Sequence, residues 1–145
     1  MAHRDKAEEE LRRLSMEMRY LEQTADALQQ RISMVNAALT DINYANMTLD
    51  GIEKEKENSE MLIPIGGSSY VKVKLADTNK VIIGMGSGVS VEKTLPEAKA
   101  TLKERLDELE KTMQSAQQQF SQVAERINSG RSRLESMLST REGKQ

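Results

Sequence analysis

Apolar residues recur at alternating intervals of three and four through the first third of the chain: Leu11, Leu14, Met18, Leu21, Ala25, Leu28, Ile32, Val35, Leu39, Ile42, Asn46 and Leu49. With Leu11 at position a of a heptad, these are the a and d positions, and only Asn46 is polar. Such spacing predicts a long helix that buries a narrow stripe against a second helix. A matching series follows residue 94: Leu95, Lys99, Leu102, Leu106, Leu109, Met113, Ala116, Phe120, Val123, Ile127, Gly130, Leu134 and Met137, with Lys99 and Gly130 as its interruptions. Thr94 and Glu97 mark the start of this second helix as a capping box, with Pro96 tolerated in the first turn. Asn46 has two readings: a buried amide that fixes register, or a side chain that bonds a nearby loop.

Between the two series the period changes. Glu60 to Lys93 is rich in β-branched residues and glycine. Met61 to Ile65 is a short apolar run, and Pro64 confines it to an edge or a strand start. Gly66, Gly67 and Ser68 form a turn. Ser69 to Leu75 then alternates, with Val71, Val73 and Leu75 on one face and Lys72 and Lys74 between them. Asp77, Thr78 and Asn79 make a second turn. Lys80 to Met85 carries Val81, Ile82 and Ile83, and after Gly84, Gly86 and Gly88 a last strand runs Val89 to Val91. The pattern predicts four strands in two hairpins.

The fold class is therefore α+β, mostly α: an antiparallel two-helix coiled coil joined by a four-stranded, two-hairpin β body. Its segments are 1–58, 59–93 and 94–145. The first helix ends between Gly51 and Asn58. A fold-back bracketed by Asn58 and Thr94 puts Met18 opposite Leu134 and Ala25 opposite Ile127. Ala25 and Gly130 then make thin layers, so the end of the coil near the termini is expected to be soft. Residues 1–10 and those after Thr140 are expected to be loose.

Four short strands with glycine-rich turns cannot build a stable two-layer core alone, and their edges invite pairing. Assembly answers both problems. The candidate interface is Ile63, Ile65, Val71, Val73, Val81, Ile82, Ile83, Val89 and Val91, with hairpins of several chains closing a β-barrel hub. Other apolar residues fall off the seam. Tyr44, Met47 and Ile52 lie near the β body and are expected to pack on it or on a neighbouring subunit. Met16, Tyr20 and Leu138 lie near the termini, where no more of the chain remains to cover them.

Composition narrows the function. Aromatic residues are 3%, Trp is absent, charged residues are 30% and the formal net charge is −2. A seam of Leu, Ile, Val and Met suits these figures better than a wide core. The charges are interspersed, so no global field favours nucleic acid or an anionic membrane. Arg126, Arg131, Arg133, Arg141 and Lys144 are the one basic cluster. The chain has no Cys, hence no disulfide or thiolate chemistry. No apolar run is long enough to span a membrane. The start lacks a secretory h-region, which makes a soluble, cytoplasmic protein the expectation. His3 is alone and no metal-ligating cluster exists. Gly84-Met85-Gly86-Ser87-Gly88 fails as a dinucleotide fingerprint, because Val89 takes the place of the third glycine and a strand follows. There is no GxxxxGK phosphate loop. No catalytic residue, cofactor or metal is expected.

Two stretches, Pro64 to Leu75 (PIGGSSYVKVKL) and Lys80 to Lys93 (KVIIGMGSGVSVEK), followed by the capping sequence and flanked by the heptads, resemble the prefoldin family, and within it the archaeal alpha class. The resemblance covers essentially the whole chain, and two hairpins instead of one favour alpha over beta. It implies a hetero-hexamer of two alpha and four beta-class subunits, with coiled-coil arms on a β-barrel platform. It also implies an ATP-independent holdase that captures non-native polypeptides at the coiled-coil ends and delivers them to a cytosolic-type chaperonin. The residues for capture are Leu11, Leu14, Met16, Met18, Tyr20, Leu134, Met137 and Leu138, several of them exposed when the soft ends splay. The competing class is a structural coiled-coil adaptor that scaffolds other proteins without chaperone activity.

Overall fold

A computed structural model describes residues 2–143. Helix α1 spans Ala2–Glu53, strands β1 to β4 span Glu60–Gly66, Ser69–Lys74, Lys80–Gly86 and Val89–Thr94, and helix α2 spans Leu95–Gly143. Two long helices and two antiparallel hairpins are the elements that the heptads and the punctuation predict. The chain divides into two compact units. The terminal unit joins the chain up to Ala37 to the chain from Glu110 onward, and the central unit is Ala38–Leu109.

The central unit contains both hairpins, each an isolated two-stranded sheet. They are built as copies, with Ile63 opposite Val71 in one and Ile83 opposite Val91 in the other. In each, the strand before the turn bulges, between Pro64 and Gly66 or between Gly84 and Gly86. The turn residues Gly67 and Ser68 (φ 55° and 58°), like Ser87 and Gly88 (φ 51° and 78°), all lie in the left-handed region. Two successive positive φ angles define the tight turn whose twist matches paired strands, so the Gly-Ser and Ser-Gly pairs are what let these hairpins close. Asn79 N donates to Asp77 Oδ1 at 2.8 Å, which makes the link between hairpins an Asx turn. Glu97 N donates to the Thr94 hydroxyl at 3.4 Å, capping α2 as its sequence predicts.

α1 passes Gly51 and stops at Glu53. Lys54 N and Glu55 N turn back to Gly51 O and Ile52 O. This is earlier than Asn58. In the terminal unit Met18 meets Gly130, not Leu134. A methyl group added at Gly130 would overlap the Met18 sulfur, with Met18 Cε 3.5 Å and Cγ 3.6 Å from that point. Met18 is only 7% exposed. The layer expected to be thin is therefore filled: a methionine occupies the space that the glycine leaves.

The helix ends also depart from expectation. α1 is helical from Ala2 and α2 runs past Thr140 to Gly143. Ion pairs cross between them there, with Arg141 Nη2 3.3 Å from Glu8 and Arg133 Nη2 2.8 Å from Glu10.

Lys99, the charged interruption of the second heptad series, serves the end of α1, whose last turn has no basic residue. Its ammonium pairs with Glu53 and lies 3.0 Å from Asp50. Hydrogen bonds to Glu53 first and to Asp50 second hold Lys99 above its ordinary value of 10.5. A raised folded-state value means that the contribution is full below pH 10.5 and is lost as pH rises through the raised value. Lys99→Met is expected to lower the melting temperature at neutral pH, with the gap to the parent closing above pH 10.5 in a thermal melt series.

The Met18 contact gives a second prediction. Gly130→Ala gains about 1 kcal/mol of helix propensity but evicts a buried methionine worth about 1.5–3 kcal/mol. A net loss of about 1 kcal/mol is expected. In the Gly130→Ala background, Met18→Ala should cost less than it does alone. Additivity within about 0.5 kcal/mol in a denaturant double-mutant cycle would mean that the two residues do not share this space.

Candidate functional site

The apolar residues of the central unit divide according to what covers them. Leu49 of α1, Leu95, Ala98 and Leu102 of α2, and Ile83 of β3 form one buried cluster, against which Ile42, Ala45 and Val81 pack. Side chains alternate along β3, so Val81 and Ile83 turn toward the helices and Ile82 turns away. Ile83 is 6% exposed and Ile82 is 74% exposed. The expected interface residues Val81 and Ile83 are thus used inside the chain's own core. Polar contacts fasten the same hairpin to α2. Leu95 N donates to Asn79 O at 2.8 Å, and Lys93 Nζ lies 3.0 Å from Thr101 Oγ1. Arg105 Nη2 donates to Gly84 O at 2.6 Å and sits 3.8 Å from the Met85 sulfur.

The first hairpin has a smaller anchorage. Asn58 N donates to Leu75 O at 2.7 Å and Leu75 N to Ser59 O at 2.9 Å. Its Ile63, the counterpart of buried Ile83, is 46% exposed. Ile65 and Val71 are exposed on the same hairpin and Val73 is half-buried. Leu62 and Tyr70, across the sheet, are exposed as well. On the second hairpin Val89, Val91 and Met85 join Ile82 in the open. Tyr44 and Met47 are also uncovered by their own chain, while Ile52 is half-buried.

In the terminal unit the residues singled out for capture separate in the same way. Leu14 and Met18 are buried in the seam, and Leu11, Leu134 and Met137 are half-buried. Met16, Tyr20 and Leu138 are exposed. A groove of about 530 Å³ brings Leu11 and Met137 together with His3, Arg4, Ala7, Glu8, Thr140 and Arg141. The heptad series as given begins at Leu11 and does not include His3, Arg4 and Ala7. Their signal in the sequence is the helical spacing that continues backward from Leu11 through Ala7. Arg105 left no signal in the sequence, because its partner is a backbone carbonyl on another element.

The basic cluster of α2 is met by carboxylates of α1. Arg126 lies 3.9 Å from Glu17 and Arg131 3.7 Å from Glu22, beside the pairs of Arg133 and Arg141 already described. Lys144 lies outside the described residues. Arginines neutralised in this way offer little to a phosphate backbone. Among the described residues, no group of acidic, His or Cys side chains could hold a metal ion, and no helix is long and apolar enough to cross a membrane.

Comparison with known proteins decides the family. The family model described as "Prefoldin subunit" matches residues 21–138. The chain belongs to the prefoldin family. "Prefoldin subunit alpha" of Methanococcoides burtonii is 31% identical over 123 residues, covering 85% of this chain and 89% of that one. The protein of the same name from Pyrococcus horikoshii is 33% identical over 119 residues, covering 81% and 80%. Among solved structures, filamentous PFD from Methanocaldococcus jannaschii superposes with a TM-score of 0.66 at 20% identity, covering 77% of this chain and 92% of that one. The prefoldin beta subunit from Thermococcus strain KS-1 gives 0.59 at 18% identity, covering 88% and 90%. The fold is that of prefoldin, and the relatives bear out an alpha-class chain with a prefoldin chaperone role. Prefoldin is not an enzyme family.

Covered and uncovered residues of this prefoldin chain should respond differently to truncation. Ile83→Ala is expected to cost about 2–4 kcal/mol in denaturant unfolding, as a cavity in a packed cluster does. Ile82→Ala should stay within about 0.5 kcal/mol in the same measurement on the isolated chain. Equal costs would show that β3 faces the other way.

Proposed function

We propose that this prefoldin chain is an ATP-independent holdase subunit. It assembles with beta-class subunits as two alpha and four beta, closes a β-barrel hub through its hairpins, and delivers captured polypeptides to a cytosolic-type chaperonin in the cytoplasm. The segments 1–58, 59–93 and 94–145 serve in this reading as helix, assembly body and helix. The groove that pairs Leu11 with Met137 carries the capture step. It offers an open apolar strip with charged neighbours that keep it wetted, and Met16, Tyr20 and Leu138 extend apolar surface onto the outer helix faces.

The energetics suit a client without a defined sequence. Burying apolar area yields about 25 cal/mol per Å², so one groove holds a chain weakly. Several subunits holding one chain multiply that into avidity, with no side-chain specificity required. Methionine adds adaptability, because its flexible thioether conforms to many surfaces. The hub follows from the uncovered Ile63, Ile65, Val71, Ile82, Val89 and Val91, with Val73 at their margin. Neighbouring hairpins would bury these residues and pair the strand edges.

Removal of residues 1–18 together with 133–145 is expected to leave the hetero-hexamer intact on size-exclusion chromatography. It should abolish suppression of aggregation of a chemically denatured client in buffer without ATP. Truncated hexamers that protect the client as well as the parent does would place capture elsewhere. A full-length hexamer that gives no protection would favour the scaffold class.

A further inference from the structure

The contact between Met18 and Gly130 has a chemical consequence. The thioether fills the space above a glycine on the facing helix, and it is buried. Among the described residues no buried polar or charged side chain lies in this seam. The surrounding backbone is helical, so its N–H groups are already committed to carbonyls one turn back. An oxygen atom attached to this sulfur would meet, among the described residues, no fully buried side-chain donor in the seam. Four other methionines differ, while Met61, Met113 and Met137 are half-buried. Met16, Met34, Met47 and Met85 are 49–73% exposed, and an oxygen on any of them would stay in water.

We propose that Met18 is a modification site whose oxidation to the sulfoxide opens the seam of the terminal unit. The oxidant is a hydroperoxide. Its O–O bond breaks, one oxygen atom forms the new S–O bond, and the other leaves as water when hydrogen peroxide is the reagent. The sulfur is oxidised by two electrons and the peroxide is reduced by two. The product side chain is polar and larger, and burying it without a partner is unfavourable. It therefore leaves the space above Gly130, which stays empty because glycine has no side chain to fill it. The layers next to it, at Leu14 and Leu21, lose the cover that Met18 gave. Access to the sulfur depends on brief opening of the seam, so Met18 reacts after the exposed methionines. This order separates its effect from that of the exposed sites, the M18L variant separates it from that of half-buried Met113 and Met137, and the outcome does not depend on whether the terminal unit binds clients.

The test titrates the full chain, assembled with its beta-class partner, with hydrogen peroxide. Peptide mapping follows each sulfoxide while amide exchange follows residues 14–21 and 127–134. Exchange there should accelerate on the order of tenfold or more, in step with the Met18 sulfoxide fraction and not with the exposed sites. M18Q, which carries a permanent side-chain oxygen, should show the faster exchange without peroxide. M18L should keep slow exchange throughout the titration. The proposal is overturned if Met18 converts with exchange unchanged, if M18L accelerates as the parent does, or if Met18 stays unmodified after the exposed methionines have fully reacted.

Discussion

Both units depend on burying a stripe of apolar side chains between antiparallel helical segments. The stripe is narrow, and there is no wide core behind it. Its buried members in the terminal unit include Leu14, Met18, Leu21, Leu28, Val35 and Ala116, and in the central unit Leu49, Leu95, Ala98 and Leu102. Each layer holds few side chains, so the fit of each one matters more than it would in a globular core. The Met18–Gly130 layer illustrates this, since one side of the seam supplies all of its volume. The ion pairs alongside have a different part. In the terminal unit Glu8, Glu10, Glu17 and Glu22 of α1 face arginines of α2. Exposed pairs of this kind are each worth about 0.2–1 kcal/mol, too little to hold the helices together. Their arrangement disfavours other alignments of the same two helices.

The two hairpins begin from nearly the same local sequence logic and meet different surroundings. Both have a bulge before the turn, a left-handed two-residue turn, and an Ile–Val pair at the middle. The second is fastened to the helices by Ile83, Val81, Arg105 and a backbone bond to Asn79. The first is tied mainly by the backbone near Ser59 and Leu75, and its apolar residues remain in contact with water. A chain that leaves such strands open carries an aggregation hazard unless a partner covers them. The proposed assembly would remove that hazard by covering these strands.

The methionines follow the same division. Exposed methionine on helix faces and at the hairpin bulge provides soft apolar contact. Buried methionine in the seam adjusts its shape to a neighbour that is too small. The same flexibility explains both uses, and only the neighbouring residues decide which one a given methionine serves.

The sequence alone determined the elements and their order. Heptad spacing, the capping box at Thr94 and the Gly-Ser turns are short-range signals, and each acts through the residues beside it. They also carried the family resemblance and the groove residues Leu11 and Met137. The tertiary structure decided the rest. The pairing of the two helical segments in the terminal unit, which heptad spacing leaves open to shifts of a turn, placed Met18 over Gly130. Which face of Val81-Ile82-Ile83 turned inward depended on where the helices lay. The partners of Lys99, Arg105 and the basic cluster came from distant parts of the chain. Periodicity names the face that a residue occupies, but what covers that face is a matter of long-range geometry, which no local pattern contains.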